Sequence, residues 1–142
     1  IEPDIQLGLP AYIPEAYIPD VNQRLVFYKK MANVESRADL EELASEMEDR
    51  FGPLPQLVLT FLEVMDLRRV LREYLVSSVY KKGEKVTLHF HPDSHIKGER
   101  LVALLQKDRG RSQLTPDLRF TFSLKPDEDV MVATKALLQS LE

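Results

Sequence analysis

The sequence contains no cysteine, and this absence removes several classes of function at once. Disulfides, thiolate zinc sites and cysteine nucleophiles are all excluded. A chain without cysteine fits a reducing compartment, so we expect a cytoplasmic protein. No apolar stretch approaches the length of a membrane helix, and no charged segment followed by an apolar one predicts a signal peptide. We therefore expect no membrane partner.

Glycine is scarce, with five residues in the chain. Neither a G-x-x-x-x-G-K-[ST] loop nor a G-x-S-x-G elbow occurs, so the sequence predicts no phosphate-binding loop and no hydrolase nucleophile. We expect no cofactor and no catalytic residue. The formal net charge of −4 provides no overall basic field for nucleic acid. Because the chain begins Ile-Glu-Pro-Asp and not with Met, we expect it to be a segment of a longer polypeptide.

The first half of the chain carries signals for a lead-in strand and three helices. Pro10, Pro14 and Pro19 favour extended geometry from Leu7 to Pro19, and Asp20 is placed to cap a helix over Val21–Ala32. Leu25, Tyr28 and Ala32, after Val21, form the apolar stripe predicted for this helix. Ser36 to Asp39 resembles a capping box for a second helix, which Gly52-Pro53 ends. The third and longest helix begins near Pro55 and ends at three arginines.

The second half changes to strand periodicity. Two strands surround a turn at Lys81 to Glu84, a helix spans Gly98 to Lys107, a strand covers Leu118 to Leu124, and a last helix begins at Pro126-Asp127. The predicted fold is a single compact α+β domain over 1–142, ordered as a lead-in strand, three helices, then β-β-α-β-α. Its parts are an extended lead-in over 1–19, a helical part over 20–75 and a mixed α/β part over 76–142.

Two clusters suggest chemistry that we do not favour. His89, His91 and His95 lie near Asp93, where a metal-dependent hydrolase is conceivable, but a strand face that leads into a loop explains the same spacing, so we expect no metal. Basic residues gather at Arg68, Arg69 and Arg72 and at Lys107, Arg109 and Arg111. These clusters keep open the alternative of a nucleic-acid or RNA-polymerase contact module. The competing interpretation is a solvated surface whose charges interact favourably with helix dipoles.

The second helix is crowded with carboxylates. Like charges three or four residues apart are mildly destabilising, so the crowding either faces solvent or serves a partner. The residues are Glu41, Glu42, Glu46, Glu48 and Asp49.

Several phrases of the sequence resemble one family. They are Leu9-Pro-Ala-Tyr-Ile-Pro14, Tyr17-Ile-Pro-Asp-Val-Asn22, Arg24-Leu-Val-Phe-Tyr-Lys29 and Asp49-Arg-Phe-Gly-Pro-Leu-Pro55. On these phrases the chain resembles the C-terminal domain of bacterial transcription-repair coupling factor. The second half matches this family mainly by pattern.

The resemblance implies a non-catalytic regulatory domain in a translocase for transcription-coupled DNA repair. ATP and Mg, RNA polymerase and DNA belong to other modules of such a parent protein. The domain would pack on a UvrB-like module of the same polypeptide and mask the surface that binds UvrA. By family register the contact residues are Glu46, Asp49 and Arg50, which also share one helix face at i, i+3 and i+4.

Overall fold

The computed structural model describes residues 2–142, which form five helices and five strands. The helices are α1 (Val21–Ala32), α2 (Arg37–Phe51), α3 (Gln56–Glu73), α4 (Gly98–Lys107) and α5 (Val130–Ser140). The strands are β1 (Asp4–Gln6), β2 (Val76–Lys82), β3 (Lys85–Phe90), β4 (Gln113–Leu114) and β5 (Arg119–Ser123). The α+β class and the predicted order of its main elements are confirmed.

Two compact units make up the described chain. The helical unit is Leu9–Arg69, and the sheet unit joins Val70–Glu142 to the residues up to Gly8. The prediction that the whole chain is one domain stays a prediction.

The helical unit begins with a segment that contains no helix, as the prolines predict. Within it, the Tyr17 and Ile18 amides both donate to Pro14 O, at 3.0 and 3.1 Å, and close a turn. Asp20 then caps α1 by accepting hydrogen bonds from the Asn22 and Gln23 amides. This cap fixes where α1 begins, and the predicted bounds of α1 are confirmed.

Local signals also fix both ends of α2. Ser36 Oγ accepts a hydrogen bond from the Asp39 amide, and the Asp39 carboxylate accepts one from the Glu35 amide, one residue before the position that a standard capping box uses. Gly52 ends the helix with a φ of 94°, a conformation that favours glycine. Leu40, Leu43 and Met47 of α2 are buried in the core of this unit.

The α1 stripe that we predicted is wrong at Val21 and Leu25, whereas Tyr28 packs against the core and Ala32 is half-buried. Val21 and Leu25 are 55% and 53% exposed, whereas Phe27 and Met31 are buried. Phe27 packs edge-on against Phe51 of α2, at 5.5 Å between ring centroids, and this contact turns the Phe27 side of α1 inwards. Apolar residues lie on both sides of α1, so the sequence alone could not choose the buried side.

A mixed five-stranded sheet forms the frame of the sheet unit, in the order β1-β2-β3-β5-β4. Strand β1 pairs parallel with β2, and the other pairs are antiparallel. The β2–β3 hairpin turns at Gly83, whose φ is 61°. Strand β4 was not predicted, because two residues carry no detectable alternation.

The last helix starts later than predicted. Asp127 has a φ of 64°, which is incompatible with a helix start at that residue. Asp129 is the cap instead, and its carboxylate accepts hydrogen bonds from the Met131 and Val132 amides.

Candidate partner-binding surface

The three predicted contact residues lie together near the C-terminal end of α2. Glu46 is half-buried, while Asp49 and Arg50 are exposed. Arg50 Nη1 lies 3.5 Å from Glu46 Oε2, one helical turn away. Leu43 and Met47 are buried in the core, Glu46 and Arg50 lie along the edge of that buried stripe, and Asp49 points away from it.

Glu46 is already paired within the helical unit. Its carboxylate is shared between Arg50 of the same helix and Lys30 of α1, whose Nζ lies 3.1 Å from Glu46 Oε2. Both pairs are partly exposed, so each contributes about 0.5 kcal/mol to stability. These ion pairs therefore add little to the stability of the fold, and the second of them restricts the Arg50 side chain.

Arg50 is held by aromatic rings as well as by Glu46. Its guanidinium carbon lies 5.3 Å from the ring centroid of Phe27 and 5.0 Å from that of Phe51. Such cation–π contacts restrict a long side chain without consuming all of its N–H donors. The Arg50 side chain is still 46% exposed, so its remaining donors face outwards in a limited range of orientations.

Tyr17 supports these rings from the lead-in segment. Its ring meets Phe51 edge-on at 5.8 Å, and its hydroxyl donates to Gly52 O at 2.8 Å with Met47 O at 3.2 Å. Burial, followed by the negative charge of Glu48, raises the pKa of Tyr17 above its ordinary value of 10.0. The hydroxyl thus ties the proline-rich segment to the end of α2.

Asp49 differs from its neighbours. Within residues 2–142 its carboxylate makes no hydrogen bond or ion pair, and Glu42 on the same side of α2 is equally unpaired. Asp49 is therefore exposed and carries an uncompensated charge, and the next residue of α2 is a cation with a restricted side chain. An ion-pairing partner would find one free acceptor and one ordered donor side by side.

A groove between α1 and α2 adjoins this face. It has a volume of about 550 Å³ and includes Glu46 and Lys30 in its walls. Val26, Val34 and Leu43 give it an apolar part. Sequence reasoning missed Lys30 and Phe27 as members of the surface, because both reach it through contacts between helices that no local pattern records.

The three histidines do not converge. His89 Nε2 lies 3.1 Å from Asp117 O, the Asp93 amide donates to His91 Nδ1, and His95 stacks on Tyr74. No three potential metal ligands of the described chain come together. The expectation of no metal stays a prediction.

The two basic clusters have different surroundings. Arg69 pairs with the buried carboxylate of Asp66 at 2.9 Å, and Arg72 lies 3.7 Å from Glu2. Arg68 is also half-buried. Arg109 and Arg111, by contrast, are exposed. The first cluster is largely engaged by the protein itself.

Comparisons with known proteins agree with the sequence phrases. A family model described as the TRCF domain matches residues 7–101. The transcription-repair-coupling factor of Myxococcus xanthus is 32% identical over 119 residues, which is 84% of this chain and 10% of that protein. That of Haemophilus influenzae is 35% identical over 105 residues, 74% of this chain and 9% of that protein. That of Escherichia coli (strain K12) is 32% identical over 119 residues, again 84% and 10%.

A solved structure shares the fold. It is a crystal structure of the C-terminal domain of transcription-repair coupling factor, with a TM-score of 0.80 and 24% identity, covering 99% of this chain and 91% of that one. The chain spans about a tenth of the length of the curated relatives that it matches. Along residues 2–142, no helix is both long and apolar enough to cross a membrane.

Proposed function

The chain belongs to the transcription-repair-coupling factor family, as its TRCF domain, and from this premise we propose that it is a non-catalytic regulatory module. In this proposal the outer face of α2 packs on a UvrB-like module of the same polypeptide and masks the surface that binds UvrA. RNA polymerase, DNA, ATP and Mg would engage other parts of that parent protein. The work would take place in the cytoplasm, where bacterial DNA lies.

One observation carries the proposal. Asp49, whose exposed carboxylate is free, is followed along α2 by Arg50, whose guanidinium two aromatic rings and Glu46 hold in place. A surface that merely faces water needs no such restriction of an arginine. A guanidinium with limited rotamer freedom loses less entropy when it forms a bidentate hydrogen bond with a partner's carboxylate.

The energetics suit a contact that has to open. A module on the same polypeptide is present at an effective concentration on the order of 1 mM, so modest intrinsic affinity keeps it docked. A few exposed ion pairs supply that affinity without making docking irreversible. A buried apolar interface of standard size would be harder to release.

Charge reversal in the full-length parent protein tests the proposal. Asp49→Lys places a cation against the partner's cation, and like charges across an interface cost more than a lost pair. We expect UvrA binding to rise in Asp49→Lys and Arg50→Glu, and more in Asp49→Lys than in Asp49→Ala. Pull-down of UvrA at equal protein concentration measures the effect.

Glu48→Lys is the matched control, because Glu48 is an exposed acid on the same helix that we do not place in the contact. It should leave UvrA binding at the wild-type level. Wild-type UvrA binding in both Asp49→Lys and Arg50→Glu would mean that the acidic face is only solvated surface.

A further inference from the structure

One end of the sheet collects cations that are far apart in the sequence. The β2–β3 turn places Lys82 opposite Lys85. Lys85 begins β3 and pairs with the last residue of β5. Just beyond β5, the Leu124 amide donates to Glu84 O at 2.7 Å, so the chain returns to the turn and brings Lys125 to the same end.

The loop between α4 and β4 reaches this end as well. Strand β4 runs antiparallel to β5, so the residues before Gln113 lie level with the end of β5. Lys107, Arg111 and Lys125 line one cleft of about 470 Å³, whose apolar part includes Phe122. The topology of the sheet unit thus gathers three separate basic segments.

We name these cations the basic end: Lys82, Lys85, Lys107, Arg109, Arg111 and Lys125. All six are exposed, and none of them makes an ion pair with another residue of the described chain. The segments that contain these cations, 81–85, 107–112 and 123–128, also carry four acidic residues. Two of the four are engaged locally: Asp108 accepts a hydrogen bond from Ser112 Oγ, and Glu128 accepts one from the Lys125 amide. The local charge is therefore positive in a chain whose net charge is −4.

We propose that the basic end binds the phosphate backbone of duplex DNA without reading its sequence. Exposed, unpaired lysine and arginine side chains are the groups that neutralise backbone phosphates and release their counterions. The segments that form the basic end, 81–85, 107–112 and 123–128, contain no aromatic residue. Phe122 is the one aromatic residue in the lining of the adjoining cleft, and a single ring does not provide successive stacking surfaces for the bases of a single strand, so a duplex is the favoured form.

The dimensions of the basic end set the size of the contact. From β2 across β3 and β5 to β4 there are three strand intervals of about 4.8 Å, or about 14 Å in all. This width matches about four base-pair steps of 3.4 Å, so we expect contact with about four phosphates. The proposal is independent of the regulatory one, since it uses another unit of the chain and charges of the opposite sign.

The test is the salt dependence of DNA binding by the 142-residue chain. Fluorescence anisotropy with a labelled duplex of about 20 base pairs, between about 50 and about 200 mM salt, gives the slope of log K against log salt. Four phosphate contacts predict a slope of about −3.6. The double variant Lys82→Gln with Lys85→Gln should make this slope less negative by about 2. It should also weaken binding about tenfold or more at the lowest salt concentration.

A matched control removes two cations elsewhere in the sheet unit. Lys97 and Arg100 are exposed at the opposite end of α4 from Lys107, so Lys97→Gln with Arg100→Gln should leave the slope unchanged. Absence of binding at about 50 mM salt would overturn the proposal, and so would equal slopes in the two double variants. Tighter binding of a single strand, or equal competition by polyglutamate of matched charge, would likewise contradict a duplex-DNA site.

Discussion

Arg50 is an exposed side chain whose orientation is restricted by its neighbours. Its guanidinium is close to two rings and to one carboxylate, and yet almost half of the side chain is open to solvent. Lysine at this position would keep the charge and lose the planar fork, so Arg50→Lys is not a neutral change in the proposed contact. In the proposed contact Arg50 would act through its orientation, whereas Asp49 would act through its uncompensated charge.

Tyr17 provides a prediction at the residue scale. Tyr17→Phe removes the hydroxyl that donates to Gly52 O and Met47 O, so the free energy of unfolding should fall by about 1 kcal/mol at neutral pH. Because the pKa of Tyr17 is raised in the folded protein, its contribution is complete below pH 10.0 and is lost as the pH rises through the folded pKa.

Urea unfolding at neutral pH and above pH 10.0 measures this contribution. The stability difference between wild type and Tyr17→Phe should shrink at the higher pH. Tyr12→Phe is the control. Tyr12 is 51% exposed, so this substitution should leave the free energy of unfolding unchanged at both pH values. A difference that stays constant with pH would show that the hydroxyl contributes nothing through its ionisation.

The residues of the candidate surface were predictable only in part. Glu46, Asp49 and Arg50 follow from helical spacing and the family phrase, since both are properties of consecutive sequence. Lys30 and Phe27 belong to another helix, and their contribution depends on how α1 is rotated against α2. That rotation is decided by the Phe27–Phe51 contact, which no spacing rule contains.

Helix ends account for most of what the sequence predicts at the element scale. Asp20, Ser36 and Gly52 act within a few residues of their own position, so α1 and α2 were located correctly. The features that the sequence did not predict correctly depend on contacts with distant residues, or belong to an element of very few residues. The buried side of α1 is set by α2, and β4 is stabilised by its pairing with β5 and not by its own two residues.

Gly52 provides the prediction at the element scale. Its φ of 94° ends α2 immediately after the candidate surface, and a Cβ added there would meet nothing within 4 Å. Gly52→Ala should therefore destabilise the protein through backbone strain alone, by about 1–2 kcal/mol. Thermal or urea unfolding measures the change.

Gly98→Ala is the corresponding control. Gly98 begins α4, has no positive φ and likewise has open space around its Cα, so alanine should be neutral or stabilising by up to about 1 kcal/mol. Equal effects of the two substitutions would show that the conformation of Gly52 is not what costs stability.

The whole chain presents two surfaces of opposite character. The helical unit carries the acidic face of α2, and the sheet unit carries the basic end. If the proposed partner is a module of the same polypeptide, it is present at an effective concentration on the order of 1 mM. Both surfaces are suited to contacts that form and release, because exposed charges are screened and individually weak.

The central claim is that the outer face of α2 docks on the parent polypeptide, and direct binding tests it best. The measurement is the affinity of the labelled 142-residue chain for the remainder of the parent protein, for wild type, Asp49→Lys and Glu48→Lys. We predict that Asp49→Lys weakens binding about tenfold or more, about 1.4 kcal/mol, while Glu48→Lys binds as wild type does. Wild-type affinity in Asp49→Lys, or an equal loss in both variants, would contradict the account.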